Sequence, residues 1–262
     1  MRFTIPLLAA AGVVSAGLYE TIEKREDTWG GSVSLGPTKS TITNAVTTLI
    51  PGAAPPTQNG VLFLWPGMSN GTGDLVQTTL ESWADNSWCG ASSGQWCVRA
   101  SLFGSFGQLD GDSSAVSGTD QVRIEYNLES DGQTWKQYVW QENRGSHKLT
   151  GTGPSPTARL VIFFLPSLTL PDLTCAGTFF HEEISGIMLT SNRYGTGTEC
   201  NDGCTGTVAA QKYKDTVITL AEADTTFGST ISKAAGATYS GLTSSQGGKV
   251  WTIAEINIPA MQ

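Results

Sequence analysis

Residues 121–129, QVRIEYNLE, alternate apolar and polar side chains without a break: Val122, Ile124, Tyr126 and Leu128 on one side, Arg123, Glu125, Asn127 and Glu129 on the other. A period of two marks a strand with one face in a core and the other in water, and a helix does not present it. Asp131-Gly132 follows as a turn signal, and TWKQYVW from Thr134 returns as the second arm of a hairpin.

The same alternation recurs along the chain, whereas no heptad, internal repeat or long 3.6-residue period is present. Further strands are expected at 28–34, 41–48, 60–65, 74–80, 96–103, 158–165, 184–190, 215–221 and 249–258. ARLVIFFL, from Ala158, is nearly continuous in apolar residues and suits a central strand covered on both faces. GDLVQTTLESW is the one stretch that also reads as an amphipathic helix, a reading its Thr pair disfavours. About eleven short strands with Gly-, Ser- and Pro-rich turns predict an all-β fold, a two-sheet antiparallel sandwich or jelly roll.

Only 15% of the residues are charged, against roughly 25% in an average soluble domain. The formal charge of −8 offers no basic patch for phosphates, so nucleic acid is excluded as a partner. Met1-Arg2-Phe3, the apolar run from Ile5 to Val14 and the small residues Ser15-Ala16 read as a secretory signal over 1–16, too short to span a bilayer. Lys24-Arg25 resembles a processing site, which makes 17–25 a short propiece and 26–262 a single secreted domain that is expected to be an extracellular monomer with no membrane partner.

In a secreted chain the cysteines default to disulfides. Cys89 and Cys97 bracket a Gly/Ser loop and are the natural pair; Cys200 and Cys204 either close a small loop or one of them takes Cys175. A zinc site needs about four ligands, and with only His147 and His181 in the chain no metal and no cofactor are expected. Asn70-Gly71-Thr72 is a glycosylation sequon in a Gly-rich turn.

An ordered set of segments resembles the eqolisins, the secreted glutamic peptidases: Trp29-Gly30-Gly31-Ser32-Val33, then Leu49-Ile50-Pro51, Leu64-Trp65-Pro66-Gly67 and Leu75-Val76-Gln77-Thr78. Trp96-Cys97-Val98-Arg99 sits where that family has a Trp-rich strand, and residues 184–192, ISGIMLTSN, look like its late strand. The resemblance implies a concanavalin A-like sandwich with a substrate groove on the concave sheet. It also implies hydrolysis of peptide bonds at acid pH. In such a site a Glu and a Gln on adjacent strands act together: the carboxylate takes a proton from the attacking water, and the amide holds the water and donates to the oxyanion.

Gln77 matches the first partner. Placing the family's Ala-Glu-Trp-Ile-Val strand on Thr157-Ala158-Arg159-Leu160-Val161 puts Arg159 where the base belongs, and an arginine stays protonated. Aligning on Cys175 instead brings Glu182 or Glu183 towards the site, only one of which could line the groove because neighbours on a strand face opposite ways. The implied substrate is a polypeptide, with Trp65, Trp96, Tyr126 and Arg159 as its contacts.

The tryptophans support a competing reading on the same scaffold. Trp65, Trp83, Trp88 and Trp96, with Trp135 and Trp140, would stack sugar rings while Gln, Asn, Asp and Arg bond the hydroxyls of an extracellular glycan. Cleavage of such a ligand needs two spaced carboxylates, for which Glu125, Glu182, Glu183 and Glu255 are candidates; a lyase would use Tyr126, Tyr138 and Gln77. A relative that has lost its catalysis is the third possibility. No Walker loop, Rossmann glycine pattern or Gly-x-Ser-x-Gly elbow is present.

Overall fold

The computed structural model describes residues 27–104, 107–141 and 191–261 together with the backbone of 178–184. It is an antiparallel β-sandwich, as the alternation requires. In chain order the strands are β1 (Thr28–Leu35), β2 (Ile42–Ile50), β3 (Val61–Ser69), β4 (Leu75–Ser82), β5 (Trp96–Gly104), β6 (Gly107–Val116), β7 (Val122–Leu128), β8 (Trp135–Gln141), β9 (Thr178–Ile184), β10 (Arg193–Asn201), β11 (Gln211–Leu220), β12 (Ser232–Ala234), β13 (Thr238–Ser240), β14 (Thr243–Ser245) and β15 (Val250–Ile258). Sheet A runs β12-β1-β10-β3-β4-β5-β6, and sheet B runs β13-β15-β11-β2-β7-β8-β9 with β14 also on β15.

The hairpin expected from QVRIEYNLE is β7–β8, with Val122 opposite Gln141 and Leu128 opposite Trp135. Asp131 closes its turn by accepting the amides of Gln133 and Thr134, and Gly132 takes the left-handed φ of +70°. Residues 75–82, compatible with a helix by sequence, are strand β4, because β3 and β5 are there to pair both of its edges. The expected strand at 158–165 lies outside the described residues. Two full-length strands carry little alternating signal: β6, GQLDGDSSAV, is polar and occupies the sheet edge, and β10, RYGTGTECN, is rich in Gly and Thr.

Between the sheets, Val33, Leu64, Val76, Leu80, Val98 and Leu102 of sheet A meet Ala45, Leu49, Val122, Ile124, Ile218 and Ile253 of sheet B, all buried. Burying such side chains is the main term that stabilises the sandwich. The inward set of each strand also determines its outward set: with Val76, Thr78 and Leu80 inside, Gln77, Thr79 and Glu81 project from the outer face of sheet A.

Cys89 and Cys97 are bridged, with their Cα atoms 5.7 Å apart, as their spacing predicted. Cys200 and Cys204 also pair with each other, which resolves the alternative involving Cys175; Cys175 lies outside the described residues. Two disulfides suit an oxidising compartment. Among the described residues no helix is long and apolar enough to cross a membrane.

One carboxylate ties the β1–β2 connection to the segment that follows β11. Asp224 accepts from the Lys39 amide (2.8 Å), the Thr38 hydroxyl (3.0 Å), and the amide (2.9 Å) and hydroxyl (2.6 Å) of Thr226. The Lys39 amide and the Thr226 hydroxyl, the largest contributors, hold its carboxyl well below the usual range. A depressed native pKa stabilises the fold above the unfolded-state value and loses that contribution as pH falls. Asp224→Asn is therefore expected to lower stability by about 1–3 kcal/mol at pH 6. In urea titrations its deficit against the wild type should hold constant down to about pH 4 and shrink below it; a deficit that grows on acidification contradicts this role.

Candidate functional site

Residues directly opposite one another on antiparallel strands share a face, so the registers of sheet A generate rows of outward side chains. One row runs Ser34, Gly195, Gly67, Gln77, Ser101, Asp110, taken in order from β1, β10, β3, β4, β5 and β6. A second holds Ser32, Gly197 and Trp65, and a third Trp29, Glu199, Phe63, Glu81 and Cys97. Gln77, half-buried, thus stands beside a shallow floor of Gly67 and Gly195 that has no side chains to obstruct a ligand. The ring of Trp65 packs over the adjacent glycines, close to where a Cβ would sit on Gly197 (3.0 Å) and Gly195 (3.6 Å), and it meets Trp29 edge-on at 6.3 Å. Its indole N–H is buried without a partner, as is the Ser101 hydroxyl beside Gln77.

Among the described residues the carboxylates of this face are Asp110, at the far end of the Gln77 row, and Glu199 and Glu81 in the third row. Glu81, fully buried, accepts from Arg99 through both oxygens (2.8 Å each), from the Thr79 hydroxyl (2.7 Å) and from the Trp83 indole (2.8 Å). Arg99 in turn reaches Asp110 (2.8 Å) and lies 4.9 Å from the Trp88 ring centre. These charges border an open cleft of about 430 Å³ lined by Asp27, Val61, Phe63, Trp83, Arg99, Gln108, Asp110, Asn201 and Asp202. Next to it, burial and the neighbouring Asp27 raise the carboxyl of Glu199 above the ordinary range. Among the described residues no group of three or more His, Cys, Asp or Glu side chains is placed to hold a metal ion.

The sequence-derived site residues divide accordingly. Gln77 and Trp65 come together on the outer face of sheet A, with Asn70 in the β3–β4 turn, where its Oδ1 accepts the Thr72 amide at 2.8 Å. Trp96 does not contact a ligand: it faces inward, is fully buried and donates its indole N–H to Gly52 O at 2.8 Å. Tyr126 is likewise a core residue, since its position on the apolar side of β7 points it between the sheets. Arg159 lies outside the described residues.

Glu182 and Glu183 belong to β9 at the edge of sheet B, in register with Gln137 and Lys136, whereas Gln77 is in sheet A. The expectation that one of them joins Gln77 from an adjacent strand is corrected: the strands flanking Gln77 are β3 and β5, which present Gly67 and Ser101 to it. Glu125 and Glu255, considered for sugar cleavage, sit on the outer side of sheet B in surface pairs with Arg123 (3.6 Å) and Lys212 (3.0 Å). Glu81 was missed, although its signal was present: in QTTLE a period of two puts it on the face of Gln77. Gly195 had no such signal, because only the β10 register brings it into that row.

No family model and no curated protein matches the chain. Solved structures do. Scytalido-glutamic peptidase with a transition state analog inhibitor superposes with a TM-score of 0.51 at 11% identity, covering 90% of this chain and 100% of that chain. The same peptidase with a peptide-based transition state analog gives 0.50 at 12% identity, covering 88% of this chain and 98% of that one. The two-sheet sandwich of this protein is therefore that of the glutamic peptidases, from which its sequence stands far removed.

Proposed function

We propose that this chain is a secreted, monomeric polypeptide-binding protein on the glutamic-peptidase scaffold, one that holds an extended segment across the outer face of sheet A at Gln77 without cleaving it. The observation that carries this reading is the row Gly195-Gly67-Gln77-Ser101. Hydrolysis by an amide-held water needs a carboxylate beside the amide to take the proton. Among the described residues, the positions flanking Gln77 hold glycine and serine, and the carboxylates Glu81 and Asp110 are engaged by Arg99. On this reading the acid endopeptidase activity implied by the resemblance is reduced to its binding half. Amide and hydroxyl donors over a glycine floor suit the carbonyl groups of an extended backbone. The sequon at Asn70, in a turn at the end of β3, is carried as a glycan on the secreted form.

Oxidised insulin B chain, an extended polypeptide, provides the test at pH 4. Binding by fluorescence anisotropy with no cleavage products by mass spectrometry is expected, and Gln77→Ala should weaken binding about tenfold, the worth of one good hydrogen-bonding group. Cleavage by the wild type, lost in Gln77→Ala, would restore the endopeptidase reading.

A second reading is favoured by one observation: Trp83, 40% exposed, lines the cleft with Arg99, Asp110, Gln108 and Asn201, and Trp88, 43% exposed, lies against Arg99. An exposed indole beside planar polar groups is the chemistry of a saccharide subsite. Quenching of tryptophan fluorescence by soluble oligosaccharides, lost in Trp83→Ala, would establish that reading over the polypeptide one.

A further inference from the structure

Strand β3 is central in sheet A yet carries Pro66, which has no N–H to give to a ladder. The β3–β4 pairing runs Leu62–Ser82, Phe63–Glu81, Leu64–Leu80, then breaks, and resumes at Gly67–Gln77. Into the break comes a side chain from the opposite sheet. The Tyr126 hydroxyl, fully buried, donates to Pro66 O at 2.8 Å and accepts from the Thr78 amide at 2.8 Å, so it stands between a donor and an acceptor that would otherwise face each other across the ladder. Burial pushes its phenol far above the ordinary value, so the hydroxyl keeps the proton it donates to Pro66 O.

Immediately beyond this wedge the two strands close tightly. A Cβ on Gly67 would lie 2.9 Å from the Cβ of Gln77 and 3.0 Å from Val76 O. The backbone of Gln77 is therefore opened on one side by a core hydroxyl and drawn in on the other by a glycine.

We propose that Tyr126 is a positioning residue for Gln77: by spreading β3 and β4 at Pro66/Thr78 it sets the height and direction at which the Gln77 amide leaves the sheet. The inference rests on the assignment of Gln77 as the ligand contact, and it turns the sandwich core into a determinant of the binding face. The hydroxyl does this through the backbone, so it touches no ligand itself.

Tyr126→Phe removes the wedge, and Tyr213→Phe, which deletes another buried core hydroxyl that has no partner, is the matched control. Two readouts are taken: hydrogen exchange of the Thr78 amide together with the Gln77 side-chain amide resonances, and affinity for oxidised insulin B chain. In Tyr126→Phe the Thr78 amide should exchange at least tenfold faster, the Gln77 resonances should shift, and affinity should fall about tenfold; Tyr213→Phe should change none of these. Gly67→Ala, which pushes on Gln77 from the other side without touching the core, should shift the same Gln77 resonances and is the positive control for that readout, while Tyr126→Met, which also removes the hydroxyl, covers the case in which Tyr126→Phe does not fold.

Unchanged Gln77 resonances in a folded Tyr126 variant overturn the proposal, as does an equal response in Tyr213→Phe. If the wild type does not bind the B chain, the polypeptide reading falls while the resonances still decide whether Tyr126 positions Gln77.

Discussion

Arg99→Ala is expected to cost about 3–5 kcal/mol of folding stability, because it strands a buried carboxylate. Glu81 has no exposed side-chain surface, and two of the four hydrogen bonds to its oxygens come from Arg99. Removing the guanidinium leaves the negative charge with only the Thr79 hydroxyl and Trp83 indole as donors. It also releases Asp110 and takes the cation from beneath Trp88. The pair's net worth is a separate quantity: a charged pair pays for its own desolvation, so the double replacement Glu81→Gln with Arg99→Met should recover most of the loss. Urea unfolding of the three variants decides the matter. A single Arg99→Ala variant within 1 kcal/mol of wild type would show that solvent already reaches Glu81, and the cleft would then have to be redrawn.

On the proposed binding reading, Gly195→Glu is expected to create peptide hydrolysis. Position 195 shares a row with Gln77, and Gly67 between them contributes no side chain. A Cβ at Gly195 would make ordinary contacts of 3.6 Å with Ser34 and with the Trp65 ring, so a side chain fits without moving the backbone. A carboxylate there faces Gln77 across an open floor and, unlike Asp110 at the other end of the row, is not held by Arg99, so it can accept the proton, a contribution of about 10² to 10⁴ in rate. Cleavage of oxidised insulin B chain should rise at least 10²-fold above wild type, increase with pH through the ordinary carboxyl range near 4, and be absent from Gly195→Gln. Equal activity in Gly195→Gln, or none in Gly195→Glu folded as wild type, would break the link between this row and catalysis.

The legible parts of this protein were those governed by short-range rules. Period two in QVRIEYNLE determined β7, its buried side and its hairpin with β8; the eight-residue separation of Cys89 and Cys97 determined their bridge; and ordinary strand spacing located β1 to β5 to within a few residues. Alternation even put Gln77 and Glu81 on one face. Where both sides of a strand carry large side chains it does not say which becomes the interior, and Trp65 and Trp96, tryptophans of two strands of sheet A, went to opposite sides.

Sequence by itself thus determined an all-β sandwich with its local staples, because turn chemistry and side-chain periodicity act over a few residues. Only the tertiary structure decided the site. Gly195 meets Gln77 through two successive registers, β10 on β3 and β3 on β4, and Tyr126 reaches Thr78 from the other sheet. Those adjacencies come from how distant strands align once a core is buried, and a one-residue slip in either register would have put different side chains beside Gln77.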